Sequence, residues 1–169
     1  MEASASAATV ERTARAGFDA LRAHDLAALE RIMHPDNVND IVAVGIRTGR
    51  DEVVDFFRET FAAFPDMQME VLRVVANDEV AFVQWRASGT FTGAPFQGIE
   101  PTGRRVDNRG VDCMEIVDGK VVKNTIYYDG LSLGRAVGML PPKDSLPDRA
   151  MLQAFNAVTK LRARLRRGR

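Results

Sequence analysis

The sequence predicts an α+β fold, with helices packed on one face of a mainly antiparallel sheet. Three observations carry this prediction. Apolar residues recur at helical spacing up to Phe64, they follow a strand-like period from Met67 to Asp129, and Asp118-Gly119 joins two apolar runs where a hairpin turn belongs. Helices followed by strands, with no internal repeat, give this class, and a curved sheet covered in this way leaves a concavity.

Residues 1–8 are small and predict a flexible start, after which Thr9 is placed to cap a helix carrying Val10, Ala14, Phe18 and Leu21 on one stripe. His24 and Asp25 interrupt it. A short helix over LAALERIM follows, then a turn at Pro35, Asp36 and Asn37, then a short strand in VNDIVAVG. Thr48 and Asp51 resemble a capping box for DEVVDFFRETFAAF, whose Val53, Phe57, Phe61 and Phe64 share a face. Three to four long strands come next: MQMEVLRVVA, VAFVQWRASGTF, VDNRGVDCMEIV and KVVKNTIYYD. These elements predict one domain over residues 9–142. Residues 143–169 form a basic amphipathic helix from about Pro147 to Arg166, with Met151, Phe155, Val158, Leu161 and Leu165 as a stripe that docks on the body or on a second subunit.

With 169 residues, 46% hydrophobic and 27% charged, and 23 basic against 23 acidic side chains, the composition is that of a globular domain large enough to enclose a pocket. Balanced charge argues against nucleic acid as a partner, and no apolar run approaches the roughly 20 residues that span a bilayer. The single Cys113 has no internal disulfide partner, and the first residues lack a secretory signal, which predicts a cytoplasmic protein. His24 and His34 stand ten apart without metal-ligand spacing, and no GxGxxG, P-loop or GxSxG pattern is present, so neither a metal nor a cofactor is expected.

The hairpin around Asp118-Gly119 sorts residues by face. If pairing runs outward without interruption, Met114 faces Lys123, Asp112 faces Thr125, Gly110 faces Tyr127 and Asn108 faces Asp129, all on one side of the sheet. The opposite side then takes Cys113, Val111, Val122 and Ile126, apolar enough to predict a homodimer through the sheet. On the first side the carboxyls of Asp112 and Asp129 stand about 13 Å apart in a flat sheet, suited to two ends of one ligand. A helix cap for Asp129 and a solvated sheet end for Asp112 are the bland alternatives.

The run WRASGTFTGAPFQGIEPTGRRVDNRGVDCMEIVDGKVVKNTIYYDGLSLGRAVGMLPP resembles the second half of SnoaL-like polyketide cyclases, through its PTGR turn, its apolar-Asp-apolar strand, DGK, and an aspartate before a short helix ending in Gly. The resemblance covers about Thr9 to Pro142. It implies the cone-shaped α+β fold of nuclear transport factor 2, a lined pocket, and an acid/base role for Asp129. VNDIVAVGIRTGRDEVVDFF is similar to the segment of bacterial ketosteroid isomerases that carries their general base, matched by Asp40, and Asp112 precedes its turn as the isomerases' oxyanion aspartate does. The isomerases' oxyanion tyrosine falls near Gly17 or Phe18, which have no such donor.

Asp40, Asp112 and Asp129 are thus the candidate catalytic residues. Trp85 and Tyr127, rings with a polar handle, and Asn108, Met114, Phe18, Phe57 and Phe61 are the candidate substrate contacts. The expected activity is cofactor-free proton transfer on a hydrophobic carbonyl compound, of cyclase or isomerase type, with one ionised aspartate as base and protonated Asp112 stabilising an enolate. Ketosteroid isomerase is the known example of that division of labour between two carboxyls. Epoxide opening on the same fold is the alternative, although the strand AFVQWRAS offers Arg86 without the aspartate that limonene epoxide hydrolases carry there. Small-molecule binding without catalysis is another.

Overall fold

The computed structural model describes residues 6–167. Five helices and six strands follow in the order α1 Ala7–Arg22, α2 Leu26–Ile32, β1 Met33–Ile41, β2 Gly45–Thr48, α3 Arg50–Ala63, β3 Gln68–Ala76, β4 Val80–Thr90, β5 Arg105–Val117, β6 Lys120–Tyr128, α4 Gly130–Val137 and α5 Leu146–Arg167. The strands form one sheet in the order β2-β1-β6-β5-β4-β3, antiparallel throughout except where β1 runs parallel to β6. The sheet is curved, and α1 and α3 lie in its concavity. The α+β expectation holds.

Burial explains the stacking. Val10, Ala14, Phe18 and Leu21 of α1 are all buried, as their spacing predicted, and they meet Ala81, Val83, Trp85 and Ala87 from one face of β4. Each large apolar side chain so buried contributes about 1.5–3 kcal/mol.

Local signals placed several ends differently. The first helix starts at Ala7, so most of the predicted flexible start, residues 1–5, lies outside the described residues. Gly49 rather than Thr48 is the N-cap of α3, and the backbone N–H of Thr48 donates to Glu52 at 2.8 Å, one residue later than the predicted box partner. Pro35, Asp36 and Asn37 lie inside β1, and the predicted strand VNDIVAVG is split into β1 and β2 around a turn at Val42–Val44.

The decisive difference is a register shift. The hairpin closes at Asp118 and Gly119, both with positive φ, but between Ile116↔Val121 and Glu115↔Lys123 the ladder skips Val122. From there on, Asp112 faces Ile126 rather than Thr125, Met114 faces Asn124 rather than Lys123, and Gly110 faces Tyr128 rather than Tyr127. One extra residue in β6 exchanges the faces of everything beyond it. Ile126 is therefore buried inside, not on the outer side where unbroken pairing put it.

Candidate active site

A cavity of about 120 Å³ opens between α1, α3, the inner sheet face and α4. That is well beyond the roughly 10–15 Å³ a single water needs. Its wall is mostly apolar and aromatic, with Phe18, Leu21, Phe56, Phe57, Phe64, Trp85, Phe96, Ile126 and Leu133 among the lining residues. The loop between β4 and β5 folds Phe96 over it, with that ring 6.0 Å from the rings of both Phe56 and Phe64. Asn108, Thr60, Ser88, Tyr128 and Asp112 supply the polar atoms.

Asp112 is the one carboxylate among the lining residues, and only 5% of it is exposed. Trp85 Nε1 donates to Oδ1 at 2.7 Å and Asn124 Nδ2 donates to Oδ2 at 2.7 Å. Desolvation pushes the carboxyl pKa up to about 6, and the bonds from Asn124 and Trp85 offset only part of that rise. Among the described residues the side-chain oxygen of Asn124 has no hydrogen-bond partner, so its amide can turn over and accept a hydrogen bond from a neutral Asp112.

Trp85 takes this position because β5 carries a glycine opposite it. A Cβ on Gly110 would stand 2.3 Å from the indole Cζ2 and 2.5 Å from the carbonyl oxygen of Tyr127. The bare backbone at Gly110 lets the ring lie across the sheet toward Asp112.

The other predicted catalytic residues lie elsewhere. Asp40 shares a row with Ile46, Thr125, Cys113 and Phe82, on the sheet face away from the cavity, whereas its neighbours Asn39 and Ile41 turn inward. Ungapped comparison with the isomerases could not register this, because face depends on how β1 pairs with β6. Asp129 is exposed and caps α4, accepting from Ser132 N at 2.9 Å and Ser132 Oγ at 2.6 Å. Those two bonds hold its carboxyl below the usual range, and it is not among the lining residues.

Of the predicted contacts, Phe18, Phe57, Trp85 and Asn108 line the cavity. Met114 is buried on the same face but within the core, and Phe61 stacks on His24 with ring centroids 4.0 Å apart. Tyr127 points outward and is 54% exposed, while Tyr128, unremarked in the sequence, lines the cavity in its stead. Half-burial raises the Tyr128 phenol above its ordinary pKa and keeps it protonated. Among the described residues no group of His, Cys, Asp and Glu is arranged to hold a metal ion.

A family model described as SnoaL-like polyketide cyclase matches residues 11–137. Comparison with curated proteins gives no match. Among solved structures, AclR from Streptomyces galilaeus, described as a candidate hydroxylase, is 26% identical with a TM-score of 0.72, over 96% of this chain and 97% of its own. A SnoaL-like polyketide cyclase candidate from Jannaschia sp. CCS1 is 24% identical with a TM-score of 0.73, over 83% and 99% of the two chains. IdmH from Streptomyces antibioticus, described as a candidate polyketide cyclase, is 24% identical with a TM-score of 0.65, over 76% and 97%. The last two likenesses concern the fold.

Proposed function

Because the chain belongs to the SnoaL-like polyketide cyclase family, we propose that it is an enzyme acting on a hydrophobic carbonyl compound, with Asp112 as the group that moves the proton. The observation that carries this reading is a single desolvated carboxyl, with pKa near 6, in an aromatic cavity. At neutral pH most of that group is ionised and ready to accept a proton, and its basicity exceeds that of a carboxylate in water by about two orders of magnitude.

In the cyclase reaction the carboxylate of Asp112 takes a proton from the carbon alpha to one carbonyl. The electron pair of the broken C–H bond becomes an enolate, whose oxygen accepts from the Tyr128 phenol and the Asn108 amide. The enolate carbon then attacks a second carbonyl of the same folded substrate, forming the C–C bond. The proton on Asp112 passes to the new alkoxide, which returns the enzyme to its starting state. Trp85 and Asn124 fix the carboxyl and share its charge, and the Phe side chains exclude water. Asp112 thereby combines the base and proton-donor roles expected of two aspartates.

The likeness to AclR favours a second reading, in which the carbanion formed by Asp112 is captured by dioxygen rather than an internal carbonyl, the new C–O bond leaving a peroxide that takes the proton from Asp112. Solvent deuterium exchange at the alpha carbon of polycyclic ketones and 1,3-diketones tests the shared first step. Exchange that Asp112→Asn abolishes is the expected result. A compound that binds by calorimetry but exchanges no faster than in buffer sinks the proton-transfer reading and leaves a carrier.

A further inference from the structure

The first turn of α5 is fixed and the rest stands in solvent. Asp148 is buried, accepts from Arg135 Nη2 at 3.2 Å and from Asp144 N at 2.9 Å, and so ties the helix to α4. From Arg149 to Arg166 every residue is exposed, so the stripe does not dock on the body. Met151, Phe155, Val158, Leu161 and Leu165 fall within about a third of the helix circumference, and Phe155 and Leu165 are 67% and 66% exposed. Most helical stability in proteins comes from packing such a face, so this one calls for a cover.

The charge of the helix is as uneven as its polarity. Residues 146–169 hold seven Lys and Arg against the single Asp148, and six of the seven fall within residues 160–169. By helical spacing Arg149, Lys160 and Arg164 lie opposite the stripe. Arg162 and Arg166 run along its Phe155 edge, where aliphatic stems can lie on apolar surface with the charged heads beyond it. Among the described residues none of these five side chains is in an ion pair.

Candidate covers differ in what they leave unmet. The outer sheet face is mixed in charge: it carries Arg73, Arg105 and Arg109, and its Asp107 and Glu115 are already paired with Arg86 and Lys123. A second α5 offers no carboxylate beyond Asp148, which its own Arg135 engages. A nucleic-acid duplex would take the charge and leave the stripe in water. An anionic lipid surface meets both demands, with apolar side chains at the acyl boundary and Lys and Arg heads among the phosphates. Among the described residues no helix is long and apolar enough to cross a membrane, and a basic amphipathic helix lies in the interface instead.

We propose that α5 is a surface anchor that lays its apolar stripe into the headgroup region of an anionic phospholipid bilayer. The full chain is sedimented with vesicles of phosphatidylcholine alone and with vesicles of equal parts phosphatidylcholine and phosphatidylserine. The expected result is binding to the mixed vesicles that weakens by about tenfold or more on pure phosphatidylcholine, in Phe155→Glu/Leu161→Glu, and in Lys160→Glu/Arg164→Glu. All four positions are exposed, so circular dichroism should show the body of each variant folded. A Phe155→Trp substitution in a Trp85→Phe chain should emit further to the blue on the mixed vesicles than in buffer. A chain that stays in the supernatant with the mixed vesicles overturns the proposal, whether it scatters light as a monomer or as a dimer that Phe155→Glu/Leu161→Glu splits. Equal binding to both kinds of vesicle overturns it too. So does binding that withstands either double substitution; if Phe155→Glu/Leu161→Glu is the one withstood and duplex DNA competes the vesicles away, charge alone is at work. An emission that stays unshifted, which leaves the stripe in water, is the last contrary result.

Discussion

Trp85 and Asp112 are joined by a 2.7 Å hydrogen bond that runs diagonally between β4 and β5, since in the ladder Trp85 faces Gly110 and Asp112 faces Val83. The indole N–H favours the ionised carboxyl, against the desolvation that opposes it. Trp85→Phe keeps the ring and removes the donor, so the pH at which alpha-carbon exchange reaches half its plateau should move upward. A profile that stays in place would mean that the indole does not tune the carboxyl.

Asp112→Asn should slow exchange by about 10²–10⁴-fold, the range of a general base, without loss of ligand binding by calorimetry. The same substitution has a stability signature. The folded pKa of Asp112 lies near 6, above its unfolded value of 3.8, so the native state binds this proton more tightly than the unfolded state. Stability from this group is full below pH 3.8, falls as pH rises toward 6, and stays low above that. The shift corresponds to about 3 kcal/mol at most. Asp112→Asn should therefore raise the melting temperature at pH 8 and lose that advantage at pH 4; equal effects at both pH values would contradict the raised pKa.

Tyr128→Phe should lower kcat by about 10²-fold if its phenol donates to the enolate oxygen, while Tyr127→Phe leaves kcat unchanged. The two adjacent tyrosines differ only in the face they occupy. Steady-state kinetics on any compound that exchanges will separate them, and equal losses would place the bulge in β6 wrongly.

Gly110→Ala sets a Cβ 2.3 Å from the indole of Trp85. The expected cost is about 1–3 kcal/mol, read from the urea midpoint, together with impaired exchange because the displaced ring no longer supports Asp112. An unchanged midpoint with full activity would show that the ring has another way to lie.

Asp129→Ala removes the cap on α4 and should cost about 1 kcal/mol of stability, with less than a tenfold change in exchange rate. Asp40→Asn, on the outer face, should alter exchange little. A loss of several hundredfold in either variant would return that residue to the catalytic machinery.

Much of this was legible before the structure. The stripe of α1, the turn at Asp118-Gly119 and the strand period of β4 follow from local signals, which depend only on the chain's own geometry; for Asp112 the hairpin pairing pointed to the inner face and left a solvated sheet end as the alternative. What failed was the register between strands. Nothing in KVVKNTIYYD marks Val122 as the residue the ladder skips, because a β-branched residue suits a regular strand as well as a bulge. The expectation of Tyr127 in place of Tyr128, and of Ile126 on the outer side, follows from that one residue. Asp40 failed likewise: β1 contains Pro35 and an irregular stretch between Met33 and Val38, so its face is set by contact with β6.

The hydrogen bond between Trp85 and Asp112 also makes the protein its own instrument. Trp85 is the single tryptophan of the chain, so all indole fluorescence comes from a ring that lies in the cavity wall and touches the carboxyl. Emission followed against pH reads the charge on Asp112 without labels, and emission followed against added compound reads occupancy, so a library can be screened for ligands before any reaction is known.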